Sequence, residues 1–189
     1  MVANPLKLNL GCGLNKLPGY VNVDKAGDPD VRHDLERFPW PWEDSVFDEV
    51  YANHVLEHLG RDAEVFIGVM KELYRVCRPG ATVRIIVPHP RNDDFLSDPT
   101  HVRPVTPLLM QLFSRRLNVE WQAQNAANSP LALYHGVDFE LRTVKYVLEE
   151  PYRSDLDSGR LTQQELARIT REYNNVVREI RMTLAVLKT

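Results

Sequence analysis

Leu8–Asp24 reads LNLGCGLNKLPGYVNVD. Apolar and polar residues alternate through Leu6–Leu10 until Gly11-Cys12-Gly13 stops the strand. Tyr20–Val23 alternates again and ends in Asp24. A strand that runs into two glycines separated by one small residue lets backbone amides approach a ligand at the carboxyl edge of a sheet. Glycines needed only for the backbone angles of a tight turn would have the same sequence. Asp24 separates the two readings, because a carboxylate at the tip of the second strand can accept both hydroxyl hydrogens of a ribose in the same crevice. Gly11, Gly13 and Asp24 together point to nucleoside binding. Cys12 joins the binding turn as a compact filler; no neighbouring residue identifies a base that would make it a nucleophile.

The link between these strands is short. LNKLPG has room for at most a stub of helix, where a parallel crossover ordinarily spans a dozen residues or more. Outward from it, Arg32–Leu35 reads as a third, very short strand and Phe47–Ala52 as a fourth. Asp62–Cys77 carries Val65, Val69, Leu73 and Val76 or Cys77 at helical spacing and is expected to end near Arg78, before Pro79-Gly80. Ala81–Val87 is an apolar, β-branched run suited to a central strand. Thr106 is placed to cap a helix with Pro107 at its first position and an apolar face of Leu108, Leu109, Leu112 and Phe113. Gln122–Gly136 has no decided pattern. Asp138–Glu149 reads as a long strand whose apolar phase shifts between Leu141 and Val144, as at a bulge. Thr162 and Glu165 make a capping box for a further helix, and Ile180–Lys188 a closing strand.

The 189 residues fit a single domain, 1–189, that buries roughly 70% of its unfolded surface without disulfide or structural metal. Residues 88–136 read as a lid or substrate-side region and 150–178 as an insertion between the late strands. Two cysteines, Cys12 and Cys77, do not make a disulfide scaffold. A formal net charge of -3 supplies no bulk cationic field, and no row of aromatics among lysines forms a platform, so a nucleic-acid partner is not expected. The first residues lack a signal pattern and no apolar run would cross a bilayer, so a cytoplasmic protein without membrane contact is expected. The oligomeric state is not written in the pattern; a homodimer is compatible with it.

Other residues carry candidate chemistry. Asp34 and Leu35 lie at the end of the third strand, and Asn53 where the fourth leaves the sheet. His54 and His58 share one side of a helical turn, with Glu57 near its start. Their spacing could hold zinc, but no third ligand stands nearby and HVLEH is not the HExxH arrangement, so no metal is assigned. His89–Arg103 concentrates His89, Asn92, Asp93, Asp94, Asp98 and His101. Substrate orientation is favoured there over lid packing, and a cation on His89, Asp98 and His101 ranks last. Trp40 and Trp42, between Phe38 and Phe47, suit loop packing at least as well as stacking on a flat ligand.

These residues resemble the class I S-adenosylmethionine-dependent methyltransferases, especially small members of the methyltransferase type 11 group. LNLGCG is similar to their first motif and GYVNVD to their acidic second-strand motif. HDLERFPWPWEDSVFDEVYANHVLEHL resembles the third and fourth, and KELYRVCRPGATVRIIVP the helix, turn and fifth strand. The resemblance covers residues 6 to about 101. It implies a Rossmann-like α/β fold with a seven-stranded, mostly parallel sheet ordered 3-2-1-4-5-7-6, here with reduced early helices and a helical insertion between the last two strands. It also implies S-adenosylmethionine as cofactor and S-adenosylhomocysteine as product. Gly11 and Gly13 would then approach the methionine portion, Asp24 the ribose, Asp34 with Leu35 the adenine, and Asn53 with His54 the methionyl group and sulfonium. The expected activity is in-line methyl transfer to a small-molecule or sugar-like acceptor, with His89 or His101 as base for an oxygen acceptor. A non-catalytic binding or assembly module on the same fold is the alternative. An NAD-dependent oxidoreductase is less favoured, because a pyrophosphate needs a first-helix amino end that this chain lacks.

Overall fold

The computed structural model describes residues 5–188; the part of the leader reading that rests on residues 1–4 lies outside them. Seven strands form one sheet in the order β3-β2-β1-β4-β5-β7-β6, as the resemblance implied. They are β1 Lys7–Leu10, β2 Val21–Asp24, β3 Val31–Arg32, β4 Phe47–Asn53, β5 Cys77–Pro88, β6 Phe139–Leu148 and β7 Val177–Val186. The first five run parallel, and β7 lies antiparallel between β5 and β6. All the parallel strands therefore present their carboxyl ends to one edge, where an open α/β sheet receives ligands.

No helix joins β1 to β2, and two buried asparagines do its work. Asn9 and Asn22 are each 3% exposed. Asn9 Nδ2 donates to Asn22 Oδ1 at 2.9 Å and to the Asn15 carbonyl at 3.1 Å. Asn22 Oδ1 also accepts from Leu17 N at 2.7 Å, and its Nδ2 donates to Asp30 Oδ2 at 2.7 Å and to the carbonyls of Leu17 and Tyr20. The two side chains thus satisfy the backbone of a link that has no hydrogen-bonding pattern of its own. Asp30 is in turn bound by Lys16 at 2.7 Å, and the hydrogen bonds from Lys16 and Asn22 hold its carboxyl down at about 2.

The first long helix is α1, Ala63–Val76, which lays Phe66, Val69, Met70, Leu73 and Val76 on the sheet. Val65 of the expected stripe is only partly buried, because Phe66 and Met70 turn the face toward themselves. α1 ends at Val76, two residues before the expected stop, and the chain enters β5 at once. Phe47 pairs with Cys77 and Glu49 with Thr82, so Pro79-Gly80 lies in an irregular excursion inside β5 and not between helix and strand. β3 is shorter and earlier than Arg32–Leu35, since Asp34 Oδ1 accepts from Glu36 N and its carbonyl from Arg37 N, folding the chain into a turn.

Five short helices follow β5 before the last: α2 Asp93–Leu96, α3 Pro107–Gln111, α4 Arg115–Ala123, α5 Leu131–His135 and α6 Tyr152–Asp157. Thr106 caps α3 through Leu109 N with Pro107 at its start, but Met110 and Phe113 are buried there whereas Leu108 is 72% exposed. The undecided stretch becomes the end of α4 and the whole of α5, joined by the buried Asn118, whose Oδ1 accepts from Ala132 N at 3.0 Å. A bulge at Arg142 shifts the β6–β7 register where the phase change placed one. Two helices, α6 and α7 (Gln163–Glu172), separate β6 from β7, and Thr162 and Glu165 close the expected capping box. β7 begins three residues before Ile180. No helix of the described residues is long and apolar enough to cross a membrane.

Asn22→Ala is expected to destabilise the protein by about 1–3 kcal/mol in urea unfolding, because Asn9 Nδ2 and Leu17 N lose their acceptor inside the link. A change below about 0.5 kcal/mol would mean that the link is held by other contacts.

Candidate active site

The glycine turn is locked to the tip of β2. Asp24 Oδ2 accepts from Gly13 N at 2.9 Å, Oδ1 accepts from Ala26 N at 2.9 Å, and Cys12 N donates to the Val23 carbonyl at 3.0 Å. A carboxylate offers about four acceptor positions, so two remain on Asp24 for a ligand. Gly11 and Gly13 both take left-handed backbone angles, φ +59° and +50°. They differ in surroundings: a Cβ on Gly11 would stand 2.4 Å from Val55 Cγ2, whereas one on Gly13 would meet nothing within 4 Å. Gly11 is needed by the packing beneath it, and Gly13 leaves space above it.

Two cavities flank this turn. One, of about 370 Å³, is walled by Asp24, Asp34, Leu35, His58 and Leu59. The other, of about 390 Å³, is walled by Asn9, Cys12, Gly13, Tyr51 and Asn53. Gly11 and His54 line both, so the two form one crevice over the carboxyl ends of β1, β2 and β4. Every residue expected to hold the cofactor lies on its wall. Volumes of this size are ordinary for small-molecule sites.

His54 is the pivot of the site. It follows Asn53 at the end of β4 with φ +51°, a left-handed angle uncommon for a side chain with a Cβ. Its backbone N donates to the Ile86 carbonyl at 2.9 Å, fixing the turn to β5. Nδ1 lies 3.3 Å from Glu57 Oε1 without hydrogen-bond geometry, and Nε2 lies 3.5 Å from Glu179 Oε1. Glu57 first and Glu179 with it raise His54 above the usual imidazole range. His54 also lines a third, open cavity of about 680 Å³ with Asp93, Asp94, Ser97, Asp98 and Pro99. The crevice and the acidic cavity meet at this one side chain.

The two histidines expected to act as base are placed apart. His89 N donates to the Arg178 carbonyl, which continues the β5–β7 pairing, and its ring faces Tyr146 with centroids 6.4 Å apart. It lines a separate cavity with Pro107, Leu108 and Tyr146, and burial lowers its basicity. His101 is stacked on Phe95 at 5.3 Å, and its ring lies 4.6 Å from that of His58. Asn92 is turned inward: it is 2% exposed and donates to Glu149 Oε1 and the Val177 carbonyl.

The aromatic loop is packing. Trp40 is buried with Nε1 donating to the Leu35 carbonyl at 3.0 Å, and Trp42 meets Phe47 edge to face. Burial, with the negative charge of Asp24 added, pushes the Cys12 thiol up, in keeping with a filler. Sequence reasoning missed Asn9, Tyr51, His33 and Thr100 as wall residues. The first was signalled by its polar side chain inside an apolar strand.

Residues 13–85 match the model of a family described as methyltransferase domain. No curated protein matches the sequence. Among solved structures, the fold is similar to a SAM-dependent methyltransferase from Archaeoglobus fulgidus, with 20% identity and a TM-score of 0.59 over 96% of this chain and 86% of that one. It is similar to an S-adenosylmethionine-dependent methyltransferase from Mesorhizobium loti at 14% identity and a TM-score of 0.50, covering 96% and 90% of the two chains. It also matches the 1,6-didemethyltoxoflavin-N1-methyltransferase of Burkholderia thailandensis at 13% identity and a TM-score of 0.52, covering 97% and 72%. At these identities the likeness fixes the fold.

Gly13→Ala is expected to cost about 1–2 kcal/mol for its left-handed angle alone. Gly11→Ala adds a clash with Val55 worth about 1–3 kcal/mol more. Thermal unfolding of the two variants should rank them in that order, and equal losses would contradict the assignment of Gly11 to packing.

Proposed function

We propose that the chain, of which residues 13–85 match a methyltransferase domain, is an S-adenosylmethionine-dependent enzyme that methylates a small, uncharged or cationic acceptor entering through the acidic cavity. The observation that carries this reading is the meeting of the cofactor crevice with that cavity at His54. The residues present fit the cofactor: Gly13 leaves its Cβ space free, Asp24 keeps acceptor positions, and Leu35 and Leu59 supply apolar wall. When bound, S-adenosylmethionine supplies a methyl carbon to an acceptor lone pair while the carbon–sulfur electrons stay on sulfur, leaving S-adenosylhomocysteine. Asp24 binds the ribose diol, Asp34 and Leu35 receive the base, and Asn53 with the glycine turn receives the methionine end. His54 separates donor side from acceptor side and keeps the path between them short, so the chain's contribution is alignment and exclusion of water.

Charge supports this acceptor class. Asp93, Asp94 and Asp98 line the acceptor cavity, and three carboxylates repel phosphates while favouring an amine or a hydroxylated compound. A nucleic-acid acceptor would need the opposite field. The dinucleotide alternative loses its seat, since no helix follows Gly13 before β2 and a pyrophosphate has no helix amino end to rest on.

Titration calorimetry should show binding of both S-adenosylmethionine and S-adenosylhomocysteine. Asp24→Ala should weaken each by about tenfold or more, because the ribose loses a charge-assisted partner. Absence of binding by the unmodified protein at millimolar ligand would contradict the enzyme reading and favour a binding module. Unchanged affinity in Asp24→Ala would remove Asp24 from the site. Retention of RNA on a filter at physiological salt would contradict the small-molecule acceptor.

A further inference from the structure

The Glu57 side chain is fully buried, and neither carboxylate oxygen has a hydrogen-bond partner. Among the described residues no lysine or arginine lies within ion-pair distance of it, and the nearest cationic group, His54 Nδ1, approaches one oxygen off the hydrogen-bond line. A buried charge left in this condition costs several kcal/mol, so a native fold supplies it with a cation or a proton.

Two further imidazoles stand beside this carboxylate. One nitrogen each of His58 and His101 and one oxygen of Glu57 lie within 4.8 Å of one another. Their hydrogen bonds fix the tautomers. His101 Nδ1 is 2.9 Å from the Phe95 carbonyl, which only accepts, so Nδ1 carries the proton. His58 Nδ1 is 2.9 Å from Thr100 Oγ1, whose own hydrogen goes to Asp98 Oδ1 at 2.6 Å, so His58 Nδ1 is likewise the donor. In the neutral rings both Nε2 atoms are left with a bare lone pair. Metal-binding histidines are oriented in this way, with the distal nitrogen tied to a carbonyl, a hydroxyl or a carboxylate. Asp98 Oδ2, 3.8 Å from His101 Nε2, adds further negative charge.

We infer that Glu57, His58 and His101 bind a divalent first-row transition-metal ion of the zinc class at the edge of the crevice. Two imidazole nitrogens and one carboxylate oxygen form a mixed donor set that suits such an ion and not magnesium, which takes oxygen donors. His58 and Thr100 also line the crevice beside Asp24 and Leu59. The ion would therefore stand in the wall of the site. The sequence had offered two other groupings, His54 with His58 and His89 with Asp98 and His101. The fold gathers His58 and His101 with Glu57 and leaves His89 in another cavity.

The test uses the full chain, stripped by a chelator and titrated with Co2+ as a spectroscopic stand-in. One Co2+ per chain is expected, with visible d–d bands that Zn2+ abolishes by displacement and excess Mg2+ does not. His58→Ala should remove the bands. Thr100→Val, which keeps all three ligand residues and removes the hydroxyl that links His58 Nδ1 to Asp98, should weaken Co2+ by about tenfold or more. His89→Ala should leave the titration unchanged. Circular dichroism on each variant separates loss of metal from loss of fold. No uptake of Co2+ or Zn2+, uptake indifferent to both His58→Ala and Thr100→Val, or displacement by Mg2+ would overturn the inference. Cofactor calorimetry on the same samples is a separate readout, so the metal result stands whether or not S-adenosylmethionine binds.

Discussion

The Asp24 carboxylate, shared between Gly13 N and Ala26 N, is the contact on which the glycine-turn side of the crevice depends. In a full crossover the helix after the first strand would hold the glycine turn in place. Here the link from Gly13 to Tyr20 has no helix, so the turn must be held from the side. Asp24 holds it from β2, and the Asn9–Asn22–Asp30 chain of hydrogen bonds holds the link below it. The same carboxylate therefore shapes the turn and presents acceptor positions to the crevice. A domain can dispense with a helix in this place if polar side chains inside the sheet take over the backbone groups that the helix would have satisfied.

The second constraint is the left-handed turn at His54. It brings β4 out of the sheet so that one imidazole borders both halves of the crevice and the acidic cavity together. Residues held in sparsely populated backbone regions gather where a site needs a side chain in one particular place. Directly after it, the turn Leu56–His58 buries Glu57 and turns His58 toward the crevice. The backbone of Glu57 also anchors the far end of the loop after β5, since its carbonyl accepts from Val102 N and Arg103 N. One short segment, Asn53–Leu59, thus ties the wall of the crevice to the loop after β5.

Much of this was legible in the chain. The alternation on either side of Gly11-Cys12-Gly13 located β1 and β2, and the resemblance supplied the strand order. Thr162 with Glu165, Thr106 with Pro107, and the phase shift before Val144 were local signals that tertiary packing left alone. What could not be read depends on contacts distant in sequence. Pro79-Gly80 looks like a helix stop, yet the pairing of Cys77 with Phe47 draws it into a strand excursion. Asp34 ends β3 through a hydrogen bond to its own turn. His89 and His101 are twelve residues apart and look alike in a polar loop. Pairing with Arg178 sends the first toward β6, while Phe95 and His58 draw the second inward. The asparagines of LNL and VNV were visible as polar residues in apolar strands, but their meaning appears only when β1 and β2 lie side by side.

The decisive measurement is a crystal structure of the protein grown with S-adenosylhomocysteine. The ribose hydroxyls are expected on the free positions of Asp24, the adenine beside Asp34 and Leu35, and the methionine end over Gly13 and Asn53, with the sulfur beside His54. Nucleoside density outside this crevice, or an Asp24 carboxylate that touches only Gly13 N and Ala26 N with ligand bound, would contradict this placement.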